Sequence, residues 1–343
     1  MLFDFRTLDT PIVSAPMAGG PSTPGLAAAV STAGGLGFLA AGYLTPDRLA
    51  EDIAGVRHFT GEPFGVNIFV PERVAVDADA LRAYRDLISK RAEAYGADLP
   101  DTVEYTDDRY EAKIEVVVQQ AVPVVSFTFG CPSADIVDRL HANDSCVVVT
   151  VTNAAEAAIA VDAGADALCV QGPGAGGHRA TFHVADEPGK TPLVQLVTTI
   201  SESVDIPIVA AGGVSSADDV RALIAHGAVA VQVGTMFLRT PEAGTKPAHR
   251  GALRDPDFAE TIVTRAYSGR PARGLRNTFI TEFGEFAPPA YPYVNTLTAP
   301  LRKAAANDPT TVNLWAGTGF AEAQAIPAAH VVAQLASGIH STR

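Results

Sequence analysis

The 343-residue chain combines 47% hydrophobic with 18% charged residues, a balance typical of a well-packed globular protein. Its 38 acidic and 25 basic residues give a net charge of -13, which repels phosphate backbones and anionic lipid surfaces. We therefore expect neither nucleic acid nor a membrane as a partner. The three cysteines form no C-x-x-C motif, so we predict free thiols. The first residues do not resemble a secretion signal, so we predict a cytoplasmic protein. We also expect a monomer or a homodimer.

Eight short apolar runs recur along the first 240 residues. They span residues 12–15, 35–39, 64–69, 122–126, 146–150, 165–170, 206–211 and 229–233. Each run is continuous rather than alternating, as is typical of parallel strands covered on both faces. Ala-rich helical segments lie between most of these runs. Strands that alternate with helices in this way predict an α/β fold, a (β/α)8 TIM barrel.

Two stretches interrupt this alternation. A polar helical insertion, residues 70–110, separates the third strand from the fourth. Beyond about residue 240 the alternation stops, and two further helices are predicted at 301–306 and 321–337. We predict a barrel domain over residues 1–240, insertion included, and a C-terminal lid or cap over residues 241–343 that packs on the barrel mouth.

Two glycine turns follow the last two predicted strands. Gly212 and Gly213 end the seventh strand, and Gly234 and Thr235 end the eighth. Phosphates commonly bind at these places in TIM barrels, because glycine lets an anion approach backbone N–H groups at a helix amino terminus. Glycines are common at strand-to-helix turns, so one pair alone is a weak signal. Two adjacent pairs predict a phosphate cradle.

The sixth strand runs into a glycine cluster, residues 172–177, and then His178. The cluster satisfies G-x-G-x-x-G, but no amphipathic helix follows it and no ribose-binding acid is in place, so a Rossmann dinucleotide site is not predicted. Because His178 ends a loop without bulky side chains at the active face, we predict that it is catalytic; the alternative is a solvated surface histidine. The sequence has no His/Asp cluster, so we do not predict a metal site.

Other strand ends face the same mouth. The amide side chains of Asn67 and Gln171 can bond to both donor and acceptor edges of a heterocycle such as a flavin, although each also fits a strand-end cap. Cys131 has no adjacent histidine or cation in the sequence and is not predicted to be a nucleophile.

Several motifs recur together in one known family. They lie at residues 11–19, 34–37, 64–69, 125–130, 171–179, 210–213, 231–235, 268–274 and 314–317. With these motifs the chain resembles the nitronate monooxygenases, an FMN-dependent family also called 2-nitropropane dioxygenases. The resemblance covers nearly the whole barrel and part of the tail.

The resemblance implies an FMN site and a reaction. The residues that would hold FMN are Met17, Asn67, Gln171, Gly176, Gly212, Gly213, Gln232, Gly234 and Thr235. His178 matches the catalytic histidine, which would take the α-proton of a nitroalkane or orient an anionic nitronate such as propionate 3-nitronate. Oxidation through the flavin with O2 would then give a carbonyl compound and nitrite.

The chain also departs from the family pattern. Gly174 replaces the usual acid before Ala-Gly-Gly-His, and Ala180 replaces a glycine that often follows His-Arg. Thr128 stands where a histidine is sometimes found, and Asn295, in the lid with Tyr291, stands where a tyrosine can occur. We assign Thr128, Tyr291 and Asn295 to the substrate side or lid, and we expect these departures to affect substrate choice rather than FMN binding.

Two other functions fit the same sequence. One is an FMN-dependent barrel that takes hydride from NAD(P)H and reduces quinones or enoyl thioesters, since such reductases share the phosphate cradle and the Gly-Gly-His loop. The other is a flavin- or phosphate-binding barrel without turnover.

Overall fold

The computed structural model describes residues 2–339. Its strands, in chain order, are β1 (Ile12–Ser14), β2 (Gly37–Ala40), β3 (Phe64–Phe69), β4 (Val124–Thr128), β5 (Cys146–Val151), β6 (Ala167–Gln171), β7 (Gly177–His178), β8 (Ile208–Ala211), β9 (Ala230–Val233), β10 (Thr261–Thr264) and β11 (Ala272–Leu275). Eight of them form one parallel sheet in the order β1-β9-β8-β6-β5-β4-β3-β2. A parallel bridge between Val13 and Leu36 joins its two edges. The predicted TIM barrel is confirmed.

Helices lie between most of the barrel strands, and four more of the described α-helices follow the last barrel strand, β9. In chain order they are α1 (Pro24–Thr32), α2 (Pro46–Phe59), α3 (Ala78–Ala94), α4 (Tyr110–Gln119), α5 (Ala134–His141), α6 (Ala154–Asp162), α7 (Leu193–Ser201), α8 (Ala217–Ala225), α9 (Pro247–Ala252), α10 (Thr278–Phe283), α11 (Tyr293–Ala304) and α12 (Ala328–Leu335). Side-chain caps fix several starts: Thr23 accepts from the Leu26 N–H with Pro24 in the first turn, and Ser216 and Asp219 form a capping box.

The barrel is filled by apolar side chains on both sides of its sheet. Inside it, Val13, Phe38, Val124 and Val209 are buried in one cluster with Phe5, which precedes β1. Outside it, the strands pack against the surrounding helices in two larger clusters. Burial on both faces explains why the strand sequences are continuously hydrophobic.

The insertion and much of the tail share a separate hydrophobic cluster. Tyr84 and Ile88 of α3 pack there with Leu297 and Leu301 of α11. In addition, the Tyr84 hydroxyl donates to the Ala266 carbonyl at 2.6 Å. Helix α11 begins earlier than predicted and continues through Pro300, whereas α12 occupies only the later half of its predicted range.

The tail contacts the barrel in two other places. Strand β11 pairs antiparallel with both β10 and β7, and the second pairing sets Ala272 opposite His178. Helix α12 packs against α1 and α8 on the barrel wall. The division of the chain near residue 240, the oligomeric state and the cytoplasmic location stay predictions. Within residues 2–339, no helix is long and apolar enough to cross a bilayer.

Candidate active site

A cavity of about 450 Å³ lies at the carboxyl ends of the barrel strands. This volume is within the range typical of cofactor and ligand sites. The predicted site residues that line it are Met17, Asn67, Thr128, Gln171, Gly176, His178, Gly212, Gly213, Gln232, Gly234, Thr235 and Asn295. Tyr291 lies beside it instead, in a smaller adjoining pocket, and its hydroxyl is 3.4 Å from that of Tyr43.

The backbone around His178 is held from two directions. His178 pairs with Ala272 of β11, and the His178 carbonyl accepts from Gln171 Nε2 at 3.1 Å. The Oε1 atom of Gln171 accepts from Arg179 Nε at 3.1 Å and from the Ala180 N–H at 3.0 Å. Most of the Gln171 amide is therefore engaged with this loop, and one N–H remains for a ligand.

Aromatic rings surround the His178 imidazole. The ring centroids of Phe129, Tyr291 and Trp315 lie 5.7, 5.8 and 5.8 Å from it. Burial, followed by the positive charges of Arg270 and Arg302, lowers the His178 pKa to about 3. The imidazole is consequently neutral near pH 7.

A serine and an arginine from the tail also lie close to the His178 imidazole and its aromatic neighbours. Ser268 is buried, and its Oγ is hydrogen-bonded to His178 Nε2 at 2.8 Å and accepts from the Arg270 N–H at 3.3 Å. The guanidinium carbon of Arg270 lies 4.0 Å from the Phe129 ring centroid, a cation–π contact. Burial lowers the Arg270 pKa to about 10, so the side chain stays charged at neutral pH.

The Phe129 backbone adopts an unfavourable conformation. Its φ of 79° lies in the left-handed region, and Gly130 follows at 149°. Such a conformation in a non-glycine residue costs on the order of 1–3 kcal/mol and is found most often at functional sites. Here it directs the ring of a residue that follows β4 toward His178 and Arg270.

Asn67 is oriented by two hydroxyl groups. Ser126 Oγ and Thr128 Oγ1 donate to its Oδ1 at 2.8 and 2.9 Å. Within the described residues, its Nδ2 has no protein acceptor and remains a donor at the cavity. Thr128, assigned above to the substrate side, therefore also supports Asn67.

The predicted phosphate cradle has free backbone donors. Among residues 2–339, no protein acceptor pairs with the N–H groups of Gly213, Gly234 and Thr235. Gly212 and Gly213 have φ values of 113° and 81°, which favour glycine. The turns therefore present N–H groups that an anion could occupy.

A tail segment, residues 316–319, adds a third wall to this cradle. The Gly317 N–H donates to Thr235 Oγ1 at 2.9 Å, and the Thr318 N–H donates to the Gly174 carbonyl at 3.0 Å. A Cβ at Gly174 would lie 2.8 Å from Thr318 Oγ1, and one at Gly176 would lie 2.5 Å from the Gly317 nitrogen. The close approach of this segment explains why Gly174 cannot be replaced by an acid without displacement.

Two predicted FMN contacts have protein partners as well. Gln232 Nε2 lies 3.3 Å from Cys169 Sγ, and the Met17 N–H donates to Ser22 Oγ at 2.9 Å. The cysteines Cys131, Cys146 and Cys169 are free thiols. Burial raises the Cys131 pKa to about 11, which agrees with the expectation that it is not a nucleophile.

Sequence reasoning missed several residues at the site. They are Tyr43, Phe129, His249, Arg270, Arg302 and Trp315. Phe129, Arg270 and Trp315 lie in the motifs at 125–130, 268–274 and 314–317. These motifs indicated the family but not the role of each of the three residues. No sequence motif pointed to His249. It lines the cavity, and burial lowers its pKa to about 4.

Comparisons with known proteins agree over the whole chain. The model of the family described as nitronate monooxygenase matches residues 2–338. A probable nitronate monooxygenase of Staphylococcus aureus (strain Newman) is 34% identical over 346 residues, which cover 99% of this chain and 97% of the relative.

Solved structures are also similar. The crystal structure of nitroalkane oxidase from Streptomyces ansochromogenes has a TM-score of 0.93 and 45% identity, covering 97% of this chain and 96% of that one. FabK from Thermotoga maritima has a TM-score of 0.74 and 27% identity, covering 96% and 93%. The fold and site thus define a TIM-barrel enzyme, an oxidoreductase of the monooxygenase type. The chain belongs to the nitronate monooxygenase family.

Proposed function

We propose that this protein is an FMN-dependent nitronate monooxygenase, which oxidises alkyl nitronates such as propionate 3-nitronate with O2 to a carbonyl compound and nitrite. The observation that carries the proposal is a neutral imidazole, His178, in the same cavity as glycine turns with unpaired N–H groups. The imidazole, with the charges of Arg270 and Arg302 nearby, suits an anionic substrate. The unpaired N–H groups suit a phosphate.

The residues present fit FMN. Its phosphate would accept from the N–H groups of Gly213, Gly234 and Thr235, at turns where a side chain would obstruct it. Asn67 Nδ2 and the remaining N–H of Gln171 would serve as donors to its ring. When bound, FMN supplies the redox chemistry that links nitronate oxidation to O2.

The electrostatics around His178 favour a preformed nitronate over a neutral nitroalkane. Burial lowers the His178 pKa most, and Arg270 and Arg302 lower it further because they oppose another positive charge; the same charges stabilise a bound anion. A base with a pKa of about 3 removes a proton poorly at neutral pH. His178 would therefore orient the anionic nitronate in its main role and deprotonate nitroalkanes less efficiently.

Nitrite release tests the proposal. We expect purified protein to be yellow, to release FMN on denaturation and to form nitrite from propionate 3-nitronate in air. A colourless protein that cannot be reconstituted with FMN would remove the cofactor. A yellow protein that forms no nitrite from any small alkyl nitronate would remove the reaction and keep the cofactor.

A second candidate is the FMN-dependent NAD(P)H reductase of quinones or enoyl thioesters. The likeness to FabK keeps it open, since that protein shares the barrel over 96% of this chain. Anaerobic addition of NADH separates the two. Rapid loss of flavin colour with NADH would favour the reductase, whereas loss of colour with a nitronate but not with NADH would favour the monooxygenase.

A further inference from the structure

The cavity is cationic in a protein that is otherwise acidic. Among the described residues that line it there is no Asp or Glu, whereas Lys246, Arg302 and Lys303 are present. The whole chain carries a net charge of -13. Lys246 and Lys303 are exposed, whereas Arg302 is half-buried. Because an uncompensated cation is costly away from water, Arg302 above all favours an anionic ligand.

Arg302 is the most firmly held of the three cations. Its Nη2 donates to the carbonyl and Oδ1 of Asn295 at 2.8 and 2.9 Å, and its Nε donates to Thr298 Oγ1 at 3.1 Å. Within residues 2–339 no carboxylate forms an ion pair with it, and its Nη1 has no protein acceptor. The guanidinium is therefore fixed at one edge and free to donate at the other.

The position of Arg302 separates it from the phosphate cradle. It lies on α11 and donates to Asn295, which lines the adjoining pocket together with Tyr291, and the Tyr291 ring centroid is 5.8 Å from that of His178. The cradle is formed by the turns after β8 and β9 and by residues 316–319. Arg302 therefore belongs to the imidazole side of the cavity, where a substrate would lie.

We propose that Arg302, oriented by Asn295, is a specificity-determining residue that binds a second anionic group of the substrate, so that the site selects nitronates that also carry a carboxylate. This inference rests on the proposed function for the identity of the substrate. Asn295 stands where related sequences can carry a tyrosine, and its amide oxygen accepts from Arg302. An asparagine at this position therefore has a role, because its amide oxygen orients the guanidinium that binds the substrate.

Binding of two inert anions tests the proposal without turnover. Succinate has the same chain length as propionate 3-nitronate with both charged ends, and butyrate matches propyl 1-nitronate with one. Trp315 is the single tryptophan and lines the cavity, so its fluorescence in the FMN-loaded protein reports binding, and the flavin spectrum gives a second signal. We expect succinate to bind at least about 10-fold more tightly than butyrate, as a charge-assisted bond to a guanidinium predicts.

Variants assign this preference to Arg302. In Arg302→Gln the ratio of the two dissociation constants should fall to within about two-fold of unity, and Asn295→Ala should give an intermediate ratio with butyrate binding unchanged. Arg48→Gln removes an exposed arginine whose partner Asp52 is on the same helix, and it should leave the ratio as in the native protein. Equal binding of the two anions by the native protein, or a preference that survives in Arg302→Gln and Asn295→Ala, would overturn the proposal.

Turnover of the matching nitronates keeps the two claims separate. If neither propionate 3-nitronate nor propyl 1-nitronate yields nitrite, the proposed function fails, and the succinate preference still decides whether Arg302 binds a second anion. If both yield nitrite but the succinate preference is absent, the role of Arg302 fails and the function stands. Loss of kcat/KM for propionate 3-nitronate alone in Arg302→Gln supports both.

Discussion

The Nε2 atom of His178 lies 2.8 Å from the hydroxyl oxygen of Ser268, although 90 residues separate the two in the chain. The histidine follows a barrel strand, and the serine belongs to the tail. The candidate catalytic group is therefore assembled from both parts of the sequence. Ser268 also bonds to the backbone of Arg270, so that one buried hydroxyl positions the imidazole and the charged residue beside it.

Replacing Ser268 by Ala should impair the orientation of His178. Loss of a single hydrogen bond to the imidazole should lower kcat/KM for propionate 3-nitronate by about 10-fold and shift its pH profile. Nitrite release across a pH series measures both effects. Ser203→Ala, which removes an exposed hydroxyl bonded to the Ile200 carbonyl, is the matched control. An unchanged rate and pH profile in Ser268→Ala would show that the bond has no part in the reaction.

Replacing His178 by Asn should affect neutral nitroalkanes more than preformed nitronates. Only the nitroalkane needs a base, whose removal typically costs 10²- to 10⁴-fold, and we expect a loss of about 10²-fold because the low pKa makes His178 a weak base. Initial rates with nitroethane and with ethyl nitronate give the comparison. His330→Asn changes an exposed histidine on α12 and should be without effect. Equal losses on the two substrates would assign His178 to positioning instead of proton removal.

Replacing Gly213 by Ala should weaken FMN binding. The φ of 81° is unfavourable for alanine by about 1–2 kcal/mol, and the added Cβ would lie 2.9 Å from Thr318 Oγ1. We expect the FMN dissociation constant to rise by at least about 10-fold, measured by quenching of flavin fluorescence. In Gly61→Ala the new methyl group meets no atom within 4 Å, and FMN binding should be native. Equal FMN affinity in both variants would argue against the cradle.

Acid should destabilise the fold through His178. Its pKa is lowered to about 3 in the folded protein, whereas an unfolded histidine has a pKa of about 6.5. Between these values the unfolded chain binds a proton that the folded chain does not. The stabilising contribution is therefore complete above about pH 6.5 and is lost as the pH falls toward 3, at up to roughly 1.4 kcal/mol per pH unit.

Urea unfolding at several pH values between about 7 and 5 measures this loss. The free energy of unfolding should fall less steeply with acid in His178→Gln than in the native protein, because the variant lacks the titrating group. His249, with a pKa lowered to about 4, contributes a loss of the same sign in both proteins. Parallel pH dependences would mean that His178 is not buried as a neutral group.

The barrel could be predicted from sequence because its signal is local. A strand such as β5 is buried along its whole length, and all of its residues except Thr150 are apolar. The glycine turns after β8 and β9 could be predicted for the same reason, since their positions follow from strand order. Pairing between β7 and β11 could not, because the two residues of β7 are too few to leave a periodic pattern.

The residues that the tail adds to the site were also beyond local reasoning. Ser268, Arg302 and Trp315 reach the cavity only through contacts that span many residues of the chain. The sequence predicts this helix only from residue 301, whereas α11 begins at Tyr293, passes through Pro300 and carries Arg302 on its last turn, although a proline usually ends a helix. The burial of α11 against the insertion compensates for the lost backbone bond.

The register between Ala272 and His178 limits how this scaffold can be recombined. A chimera that took its first 240 residues from this chain and the remainder from a distant relative would keep the barrel. It would still receive a foreign strand opposite the His178 backbone and a foreign residue in place of Ser268, which bonds to the imidazole. Crossovers placed between β7 and β11 therefore exchange part of the candidate active site with the tail. Directed evolution of this enzyme should vary the two segments as one module.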